Sequence, residues 1–304
     1  NFTTKHKIIM IINKHIVPPN IEKTRLSDYA VGLFSTVPTR KGIKKAILRN
    51  EILLNGKPVE TGRWVQPGDQ IDWVDLELRI PKILPLNLDV IFEDEYLAVI
   101  NKPAGIIVSG NQFRTIENAL LYNISKSTEN DGLRKPRAVH RLDSSTSGLL
   151  LVAKTAYAHL KMSQQFEEKT ILKKYQAIVI GDIKKVGVLE KPIDGKDAIT
   201  YFEKIKVVPS LKNKWLSLID LFPQTGRTHQ LRIHLSSLGF PILGDALYGK
   251  EGMILKHKGL FLCAVELIFS HPKTNEKMKV EINVPQKYET LLRREERRWQ
   301  KYQS

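Results

Sequence analysis

The densest reactive cluster in the chain is His140-Arg141-Leu142-Asp143-Ser144-Ser145-Thr146-Ser147. It sets an imidazole, a guanidinium, a carboxylate and a run of hydroxyls side by side. Asp143, next to Arg141 and His140, would be held ionised by its neighbours. The same residues also suit a turn, with Asp143 as an Asx or capping residue and Ser144, Ser145 and Thr146 sharing the hydrogen bonds. Both readings stand on the residues alone. The stretch that follows, Gly148-Leu149-Leu150-Leu151-Val152-Ala153, is apolar at every position. It predicts a central strand buried on both faces. The polar cluster then lies on a loop at the edge of the core, held by a rigid scaffold, where reactive groups concentrate.

A second reactive stretch is Thr225-Gly226-Arg227-Thr228-His229-Gln230-Leu231-Arg232-Ile233-His234-Leu235. As a strand it would place Gln230, Arg232 and His234 on one face. As a helix it would turn Arg232 away from the Leu231/Leu235 side. Either geometry lets Arg232 reach a site. His229 and His234 lack a third ligand nearby, which argues against a metal centre. The chain has one cysteine, Cys263, which excludes a disulfide scaffold and a multi-cysteine zinc site. It contains no Walker loop, no G-x-G-x-x-G and no H-E-x-x-H. His140-Arg141-Leu142-Asp143 differs from the kinase H-R-D by an inserted leucine, and neither a glycine-rich loop nor Asp-Phe-Gly accompanies it.

The elements that must position these groups fall into two blocks. The chain has 304 residues, 42% of them apolar, which suits two folded domains. Its 48 Lys+Arg against 32 Asp+Glu give a net charge of +16, which points to a polyanionic partner. That excess is uneven: residues 1–57 carry 11 Lys/Arg and 3 Asp/Glu. Leu26, Tyr29, Ala30, Leu33 and Phe34 recur at helical spacing. A second helix is expected from Thr39 to Leu48, with Ile43, Ala46 and Ile47 inward and Arg40, Lys41, Lys44 and Lys45 on a basic face. Asn50 suits the helix end. Asn55-Gly56 is a hairpin signal, and Pro67-Gly68-Asp69 a turn before the strand Gln70–Val74. Ile8–Ile12 reads as a strand or arm. No apolar run approaches the ~20 residues of a spanning helix, and no signal-peptide cleavage site follows the first one. A cytoplasmic location is expected.

The expected organisation is an N-terminal domain over 1–78 with its core at 20–75, a proline-containing linker at 79–88, a second domain over 89–290, and a basic helix or tail at 291–304. The second domain should open with two strands across 90–102 joined by an acidic turn. A helix after Thr115 and a mobile surface loop at 126–132 should follow. The charge alternation at Arg293-Arg294-Glu295-Glu296-Arg297-Arg298 reads as a solvated helix face laced with ion pairs.

Two resemblances carry the reading further. Thr24-Arg25-Leu26-Ser27-Asp28, the basic second helix, Ile52-Leu53-Leu54-Asn55-Gly56-Lys57 and Val65-Gln66-Pro67-Gly68-Asp69 resemble the small αL-type RNA-binding module first seen in a small-subunit ribosomal protein, the S-four-like domain. His140–Leu150 is similar to the signature of the RluA-type pseudouridine synthases. That family's other motifs follow its order: Asn101-Lys102-Pro103-Ala104-Gly105, Lys174-Tyr175-Gln176-Ala177-Ile178-Val179-Ile180-Gly181, Thr225–Leu235, Pro241-Ile242-Leu243-Gly244-Asp245-Ala246-Leu247-Tyr248-Gly249, and the weaker Phe269-Ser270-His271-Pro272. Each motif is weak alone; their joint order is specific.

The resemblance implies an α+β fold with a mixed, largely antiparallel sheet. It implies an enzyme, a monomer, that detaches uracil from C1′ of a uridine in RNA, turns it, and rejoins it through C5. No cofactor or metal is implied. Asp143 becomes the catalytic carboxylate, with three roles open: nucleophile, stabiliser of charge at C1′, or acceptor of a sugar proton. Tyr175 would stack on the base and is a candidate for removing the C5 proton. Arg232 would partner Asp143. His140, Arg141 and Arg227 would contact RNA around a flipped-out uridine, and Arg40, Lys41, Lys44 and Lys45 would meet phosphates. An S-four-like N-terminus favours large-subunit ribosomal RNA as substrate, with tRNA as the alternative. A non-catalytic RNA-binding ribosome-assembly protein on this fold is the competing class. The chain departs from the family at Ser109-Gly110, where many members have His-Pro, and at Cys263, where many have histidine.

Overall fold

The structure, a computed structural model, describes residues 10–34, 37–75, 83–249 and 258–303. The chain divides into two compact units, Asn1–Lys82 with Ser127–Arg134, and Ile83–Lys126 with Lys135–Ser304. No helix among the described residues is long and apolar enough to cross a membrane.

The first unit opens with β1 (Met10–Ile16). Then come α1 (Leu26–Tyr29), α2 (Arg40–Leu48), β2 (Ile52–Leu54), β3 (Lys57–Pro58) and β4 (Gln70–Asp75). The sheet order is β1-β4-β2-β3. The expected first helix is shorter than its apolar spacing suggested. Helix gives way to turn after Tyr29, and Gly32 sits at φ +84°, a conformation that ends regular helix. α2 forms as expected: the Thr39 hydroxyl caps it by accepting from Gly42 N–H, and Ile43, Ala46 and Ile47 are buried. Asn50 ends the helix in the left-handed region. Asn55 and Gly56 both have positive φ and form a two-residue turn between β2 and β3, the backbone that matches strand twist. The core gathers Leu26, Phe34, Ile43, Ile47, Ile52 and Ile71.

The second unit is α+β, built on one mixed, largely antiparallel sheet. In chain order its elements are β5 (Asp89–Glu93), β6 (Leu97–Lys102), α3 (Ile116–Asn123), β7 (Gly132–Ala138), β8 (Ser147–Thr155), α4 (Ala156–Glu167), β9 (Leu172–Ile180), β10 (Val186–Leu189), β11 (Thr200–Ser210), β12 (Lys214–Pro223), α5 (Gln230–Ser237), β13 (Leu262–Ser270), β14 (Lys277–Glu281) and α6 (Lys287–Gln303). The strand order is β10-β11-β12-β9-β13-β8-β6-β5, with β14 on β13 and β7 on β8. As its apolar run requires, β8 is central and buried from Gly148 to Thr155. It meets β13 in a short parallel pair, Cys263 with Ser147 and Ala264 with Gly148.

Two expectations about the flanks change. Residues 83–88 pack on the second unit: Leu88 is buried, and the Leu84 amide donates to the Asn118 carbonyl. The C-terminal helix begins at Lys287 and is docked, with Tyr288, Leu291, Leu292 and Glu295 buried. Its outer face carries the expected ion pairing, such as Glu289 with Arg293, and the buried Glu295 also pairs with Arg294 and Arg298. Charge alternation alone did not reveal the apolar stripe at Tyr288, Leu291 and Leu292.

Candidate active site

Four strands bring the site to one level. Ala264 of β13 stands beside Gly148 at the mouth of β8 and opposite Tyr175 of β9. Tyr175 in turn stands opposite Leu221, near the end of β12. The Asp143 loop, Tyr175 and the chain leaving β12 therefore converge across the sheet. Gly148 makes the approach possible. Its φ is +112°, and a Cβ there would lie 2.2 Å from the Ala264 carbonyl oxygen, so only glycine fits.

Lys102 ties the loop from behind. The side chain is fully buried, and its ammonium donates to the carbonyls of Thr146 (2.8 Å), Pro103 (2.9 Å) and Ser144 (3.3 Å). Gly105 N–H also donates to the Ser144 carbonyl, at 2.6 Å. Burial pulls the Lys102 pKa down to about 8, with the nearby Asp143 charge acting against that fall.

The turn itself is closed by the main chain, Thr146 N–H to the Asp143 carbonyl. The Asp143 carboxylate turns instead to Arg232 and His229. Oδ2 accepts from Arg232 Nη1 at 3.3 Å, and Oδ1 lies 3.7 Å from His229 Nε2. Among the described residues, then, its ion partners come from the second reactive stretch rather than from adjacent His140 and Arg141.

That stretch is helical, which resolves the strand-or-helix alternative: Gln230 begins α5. A stapled turn leads into it. Gln230 accepts from the Thr225 hydroxyl (2.7 Å) and the Arg227 amide (2.9 Å), and donates to the Ile199 carbonyl and the Thr200 hydroxyl (both 3.0 Å). His229 takes the N-cap at φ +56°, an uncommon conformation for a non-glycine residue. This turn swings His229 toward Asp143 and lets Arg232 follow on the first turn of the helix.

The two parallel bonds expected between Arg232 and Asp143 go to a different carboxylate. Arg232 Nε and Nη2 donate to Asp245 at 2.7 and 2.8 Å. Asp245 is buried and also accepts from the amides of Leu247 and Tyr248. Burial would raise the Asp245 carboxyl, but Arg232 and the two amides outweigh it and hold it below its ordinary value. Burial likewise opposes the Arg232 charge, and Asp245 with Asp143 more than restores it. The Tyr248 ring lies 5.0 Å from the guanidinium, and its hydroxyl is 2.9 Å from His229 Nδ1.

Tyr175 shares a cavity of about 130 Å³ with Asp143, Arg141, Arg227, His229 and Arg232. Burial, and then the charge of Asp143 and the Cys263 thiol, push its phenol well above the ordinary value. It therefore stays protonated at neutral pH. Arg141 is exposed at the rim, while Arg227 Nε donates to the Asp197 carbonyl at 3.0 Å. His140 turns inward: Nε2 accepts from Leu151 N–H at 3.0 Å, and the ring stacks on Phe166. Burial and Lys173 lower its pKa to about 3. His234 is also interior, bonded to Thr200 and the Lys191 carbonyl. Arg40, Lys41, Lys44 and Lys45 are exposed on α2 of the first unit.

Four participants carried no individual role in the sequence reading: Lys102, His229, Asp245 and Tyr248. Each lies inside a quoted motif. Lys102 had one further signal, a lysine at the end of an otherwise apolar strand.

Comparison with known proteins gives the family. The family described as RNA pseudouridylate synthase matches residues 96–237. A ribosomal large subunit pseudouridine synthase C of Rickettsia prowazekii is 34% identical over 311 residues, covering 91% of this chain and 97% of that protein. A ribosomal large subunit pseudouridine synthase D of Zymomonas mobilis is 36% identical over 240 residues, covering 70% and 74%. The solved structure of Human RNA Pseudouridylate Synthase Domain Containing 1 superposes with a TM-score of 0.55 at 25% identity, over 66% of this chain and 84% of that one. With a relative 34% identical over 91% of this chain and 97% of its own, the chain belongs to the RNA pseudouridylate synthase family and is an RNA pseudouridine synthase.

Proposed function

We propose that this enzyme isomerises uridine in large-subunit ribosomal RNA, with Asp143 as the catalytic carboxylate. The observation that carries the site assignment is the position of Asp143: a partly exposed carboxylate in the cleft, facing Arg232 and His229, on a loop tied by Lys102. A carboxylate held this way is placed to act at C1′ of a uridine flipped out of its stack. Tyr175 forms the wall on which the base rests. Its raised pKa argues against the phenolate as acceptor of the C5 proton. Arg141 and Arg227 hold the RNA around the vacated position, and His140 serves by fixing the loop.

The ribosomal target is supported by the names of the relatives that match over most of their length. We further assign the first unit as an S-four-like RNA-binding module, with Arg40, Lys41, Lys44 and Lys45 as phosphate contacts. The test is pseudouridine mapping on ribosomal RNA from cells lacking the gene, complemented with wild type or Asp143→Asn. Loss of one or more large-subunit pseudouridines, restored by wild type only, is expected. Equal restoration by Asp143→Asn would overturn the catalytic assignment. Changes confined to tRNA would overturn the substrate.

A further inference from the structure

The larger cavity of the second unit lies away from Asp143. It encloses about 330 Å³ between the β11–β12 hairpin tip and α6. Leu216 lines it, whereas Leu221 of the same strand faces Tyr175. At ~3.3 Å per residue the two sites are therefore roughly 15–20 Å apart along β12. Its apolar walls are Leu216, Leu243 and Leu291. Its rim is cationic: Lys212 from the hairpin tip, Arg294 and Arg298 from α6.

The acid in this cavity is already engaged. Glu295 is buried, accepts from the Ser210 hydroxyl at 2.7 Å, and lies 3.3 Å from Arg294 and 3.8 Å from Arg298. Three cations thus face one carboxylate that is fixed to the protein. Both arginines remain about half exposed. Asn213 forms part of the lining, and its Oδ1 is buried with no hydrogen-bond partner. Two residues on, at the start of β12 and outside that lining, Trp215 is exposed, its ring 6.5 Å from that of Trp299 on α6. An exposed indole and a surplus of positive charge are what an unstacked nucleotide needs: stacking surface for the base and cations for its phosphate.

We propose that this cavity is a second RNA site, which takes an unstacked nucleotide of the substrate outside the target uridine. The base stacks on the exposed Trp215 indole, and the phosphate lies against Lys212 and Arg298 of the cavity rim. The site rests on the reading of RNA as substrate and adds a specificity element to it, since only an RNA that reaches both sites uses both.

Full-length protein should be titrated with a fluorescent oligoadenylate of roughly a dozen nucleotides, a length within the range of single-strand sites. It contains no uridine and gives the reaction centre nothing to isomerise. Charge reversal at Lys212→Glu with Arg298→Glu should weaken binding about tenfold at low salt, by loss of phosphate contacts. Trp215→Ala should weaken it severalfold. On long ribosomal RNA the same variants should raise KM and leave kcat within about twofold. Lys212→Glu alone, on the exposed tip, keeps the test open should the double variant misfold. Binding and KM unchanged in folded variants would overturn the second site while leaving the enzyme's function intact. A wild-type protein that binds no RNA would overturn the substrate reading itself.

Discussion

Asp245 grips the Arg232 guanidinium by two parallel hydrogen bonds and leaves only Nη1 for Asp143. The buried carboxylate thus aims the arginine, and the arginine aims the partly exposed carboxylate. Asp245→Asn should disturb both links. Breaking a buried pair typically costs about 3–5 kcal/mol of stability, and misplacing a reacting group by about 1 Å can cost about a hundredfold in rate. Thermal melts and single-turnover pseudouridine formation measure the two effects. An Asp245→Asn enzyme with wild-type turnover would show that Arg232 does not need this anchor.

His229 is held by Tyr248 and faces the other oxygen of Asp143. Tyr248→Phe removes one hydrogen bond, worth about 1 kcal/mol, which corresponds to roughly fivefold in rate. His229→Ala should cost more than Tyr248→Phe, and adding the second change to the first should cost nothing further. Additive losses would mean that the two residues act separately.

Lys102 gives activity and stability opposite trends in alkali. As an ammonium it holds the carbonyls of Ser144 and Thr146, and its folded pKa is about 8. Turnover should fall as pH rises through about 8. The folded value lies below the ordinary lysine value of 10.5, so between the two the unfolded chain binds the extra proton. This group's contribution to stability therefore rises with pH in that window. Lys102→Met should lower kcat and flatten the alkaline limb. An unchanged limb would assign it to another group.

His140 works at the acid end. Its folded value of about 3 lies below the ordinary 6.5. The unfolded chain then binds the proton first, and stability is lost as pH falls from about 6.5 toward 3. His140→Gln, which keeps an acceptor for Leu151 N–H, should lose less stability over that range in denaturant titrations. Parallel acid limbs for the two proteins would contradict this.

Gly148→Ala tests the contact between loop and sheet. The added Cβ would meet the Ala264 carbonyl oxygen at 2.2 Å in a left-handed backbone. Overpacking of this kind costs about 1–3 kcal/mol, and the strained φ adds to it. The melting temperature should drop, and activity should fall even where the protein remains folded. A fully active, stable variant would mean that β8 and β13 can separate without consequence.

Local order was legible from the chain itself. The start of α2 at Thr39-Arg40, the Asn55-Gly56 turn and the buried run of β8 follow from patterns read over a few residues, because helix starts, turns and strand burial are local physics; the mixed α+β class came with the family resemblance. So did the motif order that marks Asp143, Tyr175 and Arg232. Beyond the Arg232–Asp143 pair that the resemblance implied, the sequence did not reveal which groups would meet. Asp143 has His140 and Arg141 beside it in the chain, yet it faces Arg232 and His229, 89 and 86 positions away. Asp245 outcompetes it for the arginine fork, and Lys102 reaches loop carbonyls more than 40 positions ahead. The C-terminal helix showed its charges but not the face it buries. Ion pairing, buried donors and docked faces depend on distances set by strand register and helix packing, and those arise only when the sheet closes around β8.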